Sequence, residues 1–196
     1  MPILRERRLF LIAPWALFLA GILVAPDFVP LSDRGDFLIR NTVRLALVYW
    51  AIAVALMIRS LSSTARLAWT LGCVAYLVHV AVAFEYAHHW SHREAFRHVE
   101  TVSGYGEGIF VSYLFTLVWA ADVLWWWVNA EGYRQRPRWV AWAVHGFMVF
   151  VIVNATVVFE SGLTRWVSAA VLLALLVCLG AGWRFRFISF QTERRA

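Results

Sequence analysis

Long apolar runs alternate with short clusters of charge along most of this chain, and neither the two-residue period of a half-buried strand nor the clean stripe of a soluble amphipathic helix recurs. A helix crossing about 30 Å of hydrocarbon needs roughly 20 apolar residues at about 1.5 Å per residue. Six stretches meet that requirement, at 9–26, 43–59, 67–87, 108–129, 138–159 and 165–183. The pattern predicts an all-α, polytopic membrane bundle of six transmembrane helices forming a single domain over residues 1–196. The first run follows Arg5, Arg7 and Arg8 as a signal peptide would, but Pro14 interrupts it and Val24-Ala25-Pro26 is a poor cleavage site, so it is expected to be a retained helix.

Composition agrees with the pattern. Apolar and aromatic residues make up 62% of the 196 positions and charged residues 15%, well away from the balance of a water-soluble enzyme or a disordered chain. The formal charge of +6 would suit a nucleic-acid partner if it were clustered. It is not: the arginines, which are all of the basic residues, are scattered in small groups between the apolar runs, so no nucleic-acid partner is expected. Cys73 and Cys178 both lie inside apolar runs and read as small buried hydrophobes.

Arginine placement sets the expected orientation, because positive residues are retained on the cytoplasmic side. Twelve arginines fall on the face that carries the termini and six on the other, which puts both termini in the cytoplasm of a cell inner membrane. Trp69, Trp125, Trp126, Trp127, Trp139, Trp142 and Trp183 fall near cytoplasmic helix ends, where an indole buries its ring and keeps its N–H wet.

Four of the six histidines are concentrated after the third span, in Glu85-Tyr86-Ala87-His88-His89-Trp90-Ser91-His92 and, further on, His98. If the helix continues through this stretch, Glu85, His88, His89 and His92 share an arc of about 100°, with His98 on another face. Imidazoles and a carboxylate on one face suit zinc, copper or iron, and Glu107 and Glu160 at neighbouring helix ends would extend the ligand set. The Glu85-x-x-His88-His89-x-x-His92 spacing resembles one histidine box of the membrane fatty-acid hydroxylases and desaturases. Those families carry three boxes on the cytosolic side, whereas this chain has one on the opposite side. His88-x-x-x-His92 is similar to the ceramidase-like membrane hydrolases, whose further ligands do not align here, and no family is assigned.

Within the spans, Asp122 and His145 fall at matching depth, about 10 Å in, on the fourth and fifth spans, and are expected to pair. His79 in the third span is a candidate axial ligand for haem, with a hydrogen bond to a neighbouring helix as the simpler role, and Asn154 and Thr156 are expected to bond between helices. Residues 93–102 read as a short interfacial helix, and Gly104-Tyr105-Gly106-Glu107-Gly108 as the turn back into the membrane. The functional expectation is an outer-face Glu/His site for a transition metal or haem, in a protein that acts on a lipid-soluble substrate. The alternatives are a non-enzymatic accessory or assembly subunit among other membrane subunits, and a small transporter coupled through Asp122 and His145.

Overall fold

A computed structural model of the chain describes residues 2–28, 30, 33–158 and 161–193, with side chains described between Leu9 and Gly180. Every regular element among the described residues is helical. The helices are α1 (Pro2–Val24), α2 (Arg34–Arg59), α3 (Ser63–Tyr86), α4 (His92–Ser103), α5 (Gly108–Val128), α6 (Ala130–Gln135), α7 (Arg138–Val153) and α8 (Gly162–Glu193). A 3-10 turn (Ala25–Phe28) extends α1, and a π turn (Asn154–Val158) extends α7.

Six of these segments are long and apolar enough to cross a membrane: Leu9–Phe28, Arg34–Arg59, Ser63–Tyr86, Gly108–Val128, Arg138–Val158 and Gly162–Gly180. The chain is therefore a multi-pass membrane protein. The second span begins nine residues earlier than the apolar run alone indicated, because Arg34 to Thr42 stay helical although they carry three charges.

The α2–α3 hairpin is the centre of the bundle. Ala65, Ala68, Gly72 and Ala75 recur along one face of α3, against Ala46, Ala53 and Trp50 of α2, and all are buried. Small side chains let two helix backbones approach closely, which replaces the hydrophobic drive that lipid cannot supply. A Cβ on Gly72 would sit 3.2 Å from the Trp50 backbone nitrogen and 3.0 Å from the Trp119 ring.

The other helices are added around this pair. α1 lies against both, with the Trp15 indole donating to the Leu71 carbonyl at 3.0 Å and the Tyr49 hydroxyl to the Leu11 carbonyl at 2.7 Å. α5 packs on α3, α7 on α5, and α8 on α2 and the π turn. Asn154 and Thr156 do not bond between helices as expected: they return their donors to the Phe150 and Ile152 carbonyls of their own helix, at 2.8 and 2.7 Å. Cys73 is buried and free, whereas Cys178 is exposed and free, so the expectation of burial holds only for Cys73.

Candidate functional site

At the end of the bundle where α3 finishes, the helix does not continue as the arc of histidines requires. His89 and Trp90 take left-handed backbone angles, φ 46° and 56°, which no α-helix accommodates. The Trp90 N–H closes on the Phe84 carbonyl at 2.9 Å, and Ser91 then caps a new helix, its Oγ accepting from the Glu94 N–H at 3.3 Å. His88 and His89 thus belong to a turn and His92 opens α4, so the single-face arrangement is corrected. No group of three or more metal-binding side chains converges among the described residues.

Each predicted ligand has an individual fate. Glu85 is exposed and accepts the Trp90 indole N–H at 2.7 Å. His92 reaches across to α5, its Nδ1 2.8 Å from the Tyr113 hydroxyl. His89 is exposed, and Glu107 precedes α5, where its charge favours the helix N-terminus. Glu160 lies outside the described residues. His88 is buried, packed against Phe84 with ring centroids 5.4 Å apart, and its Nδ1 has no hydrogen-bond partner.

His98, expected to point elsewhere, is the residue that faces His88, at a centroid distance of 5.2 Å. The break at residues 87–91 ends α3 and starts α4 on a new axis against α5, which brings the His98 ring to His88. Burial lowers the His88 pKa, and the neighbouring His98 lowers it further. Gly106 makes the docking of α4 possible, since the Phe96 ring occupies the space that a Cβ there would fill.

A second polar group lies at the other end of the bundle. Asp122 and His145 do not form the expected hydrogen-bonded pair: Arg136 stands between them and contacts both. Its Nη1 lies 2.7 Å from Asp122 Oδ1 and its Nη2 3.3 Å from His145 Nε2. Because the guanidinium can only donate, His145 Nε2 is the acceptor and the ring is neutral with its proton on Nδ1. Asp122 Oδ2 also accepts from the Trp69 indole at 3.0 Å and the Tyr133 hydroxyl at 2.8 Å.

Trp69 and Trp126 are buried and thus not interfacial, whereas Trp125, Trp127, Trp139 and Trp142 are exposed as an interfacial role requires. The Trp183 side chain lies outside the described ones. Sequence reasoning missed Arg136 and Tyr133 because they lie at the end of the short α6 between two spans, a stretch that reads as a connecting loop whose arginines mark only topology. His79 uses its Nδ1–H on the Ile39 carbonyl at 3.0 Å, a helix-to-helix bond between α3 and α2. No protein-family model, curated protein or solved structure matches the chain.

Proposed function

We propose that this is a multi-pass protein of a cell inner membrane, with its termini in the cytoplasm, that binds a transition metal at its outer face through His88 and His98. The observation that carries this reading is the buried His88 ring, whose Nδ1 meets no partner in hydrogen-bond geometry and whose centroid lies 5.2 Å from that of His98, with the adjoining Ala87 backbone near it. A buried polar atom without a partner costs free energy, and a native protein normally supplies one. Imidazole nitrogens suit copper, zinc or iron. Two nitrogens leave coordination positions open, for water, for the exposed His89 or for a substrate entering from the lipid.

A metal bound there would supply Lewis-acid or redox chemistry, as a metal-dependent enzyme acting on a lipid-soluble substrate requires. The chain's own part is to hold the two rings together through the turn between α3 and α4 and to pack Phe84 against His88. The transporter reading loses support, because the Asp122 carboxylate is held in a buried ion pair with the permanently charged Arg136. A non-enzymatic subunit of a larger membrane complex is the second reading. It draws on α8, whose membrane-spanning window buries none of its residues in this chain.

The test is elemental analysis with an optical spectrum of purified protein, wild type against His88→Ala, His98→Ala and His92→Ala. Stoichiometric metal lost in the first two variants and kept in the third supports the site. A Soret band would make the group haem and move the ligand set. A folded wild type with neither metal nor chromophore, including after incubation with copper, zinc and iron salts, overturns the proposal.

A further inference from the structure

The outward face of α2 carries a polar stripe that runs into the outer end of its membrane span. Asp36, Arg40 and Arg44 follow one another at four-residue spacing and are all exposed, and Val48 and Ala55 continue the same exposed stripe toward the other end of the helix. Asp36 and Arg40 pair at 2.8 Å. Arg44 contacts only an amide, its Nη1 donating to Asn41 Oδ1 at 3.3 Å, and no carboxylate pairs with it among the described residues.

Three contacts along the α2–α3 hairpin give the depth. Gly35 lies opposite Tyr86, where a Cβ would come within 2.8 Å of the Tyr86 Cβ. Ile39 meets His79, and Gly72 meets Ala46 and Trp50. Arg44 therefore sits between the levels of His79 and Gly72, about 14 Å along the helix from Gly35 and Tyr86. A span of about 20 residues ending at Arg59 starts near Arg40, so Arg44 lies in the outer part of the membrane. Tyr76, near that level, bonds Thr116 of α5 at 3.2 Å, and on α5 the exposed Phe110, Val111 and Leu114 lie further out still. Apolar surface extends beyond Arg44, which is thus below the membrane surface.

An arginine facing hydrocarbon at that depth is costly, and the cost is relieved when the bilayer thins and polar headgroups are drawn in. We infer that the Arg40–Arg44 face of α2, where Asn41 steadies the Arg44 guanidinium, binds the phosphate of an anionic phospholipid from the outer leaflet. A guanidinium donates two parallel hydrogen bonds to a phosphate, and among the described residues no carboxylate occupies the Arg44 fork. Asp36 balances only one of the two arginines, so the stripe keeps a positive excess. Its polarity order is also that of a phospholipid: charged toward the outer end for the headgroup, apolar at Val48 and Ala55 for the acyl chain.

Native mass spectrometry of the full-length chain, released from nanodiscs of mixed phosphatidylglycerol and phosphatidylcholine, tests this. Wild type should retain phosphatidylglycerol preferentially, and Arg44→Gln should lower that retention about tenfold, in line with loss of a charge-assisted hydrogen bond. Arg93→Gln, which removes an exposed arginine of α4, should leave it unchanged. Arg44→Lys keeps the charge without the fork and should retain an intermediate amount, which keeps the test valid if the glutamine variant does not fold. Competition by inorganic phosphate with no preference for phosphatidylglycerol would reassign the face to free phosphate. Equal retention of both lipids unaffected by Arg44→Gln, or a dimer that persists in wild type and dissociates in Arg44→Gln, overturns the inference.

Discussion

Arg136 Nη1 and Asp122 Oδ1 lie 2.7 Å apart, in an ion pair whose side chains retain 4% and 2% of their exposure. Such a pair is weak evidence for net stability, because both charges were taken out of water. Removing one partner is a different matter, since the remaining charge stays buried. The rest of the group fits that view: the Tyr133 ring stacks on Trp126 at 4.4 Å and lies 3.8 Å beneath the Arg136 guanidinium, so the loop carrying Arg136 is fastened to α5.

Asp122→Asn should therefore destabilise the bundle by about 3–5 kcal/mol, and Arg136→Met by a similar amount. The double variant should recover much of the loss. A double-mutant cycle on detergent-solubilised protein, followed by thermal unfolding, measures the coupling. Strictly additive losses would show that the two side chains act independently.

Tyr133 provides a test in pH. Burial, and then the Asp122 carboxylate, push its phenol well above the ordinary value of about 10. The folded state thus keeps a proton that the unfolded chain releases, so the contribution is fully present below about pH 10 and is lost as pH rises beyond it. Tyr133→Phe should cost about 1.5–3 kcal/mol at neutral pH and show a shallower decline in alkali. Melting temperatures of both proteins between neutral pH and pH 11 make the comparison, and parallel curves would refute it.

Gly72→Val should weaken the α2–α3 contact, since the added atoms meet the Trp50 backbone and the Trp119 ring. Overpacking of this kind costs about 1–3 kcal/mol. Gly21 meets nothing within 4 Å, so Gly21→Ala is the matched control and should leave the melting temperature unchanged or slightly raised.

Gly106→Ala should displace Phe96 and loosen α4 from α5. Faster amide exchange across residues 92–103 is the expected readout, with the spans unaffected. Replacing the ring by Phe96→Leu in the same chain should restore part of the protection, because the three nearest atoms to the added Cβ all belong to that ring.

Composition and the length of the apolar runs were sufficient for the fold class, the six crossings and the short helix after the third, because a bilayer imposes its thickness on any helix that spans it. The pairing depth of Asp122 and His145 was also legible, since it follows from rise per residue in two helices joined by a short loop. The histidine site was not. A left-handed turn at His89 and Trp90 has no marker in residue type, and once α3 ends there His88 meets His98 instead of His92. Arg136 was likewise visible only as a loop charge until α6 folded it back over Tyr133 and onto Asp122. Helix periodicity relates residues a few positions apart on one straight axis. Which imidazole, indole or guanidinium satisfies a buried group depends on where the chain reverses, and that is decided by packing in three dimensions.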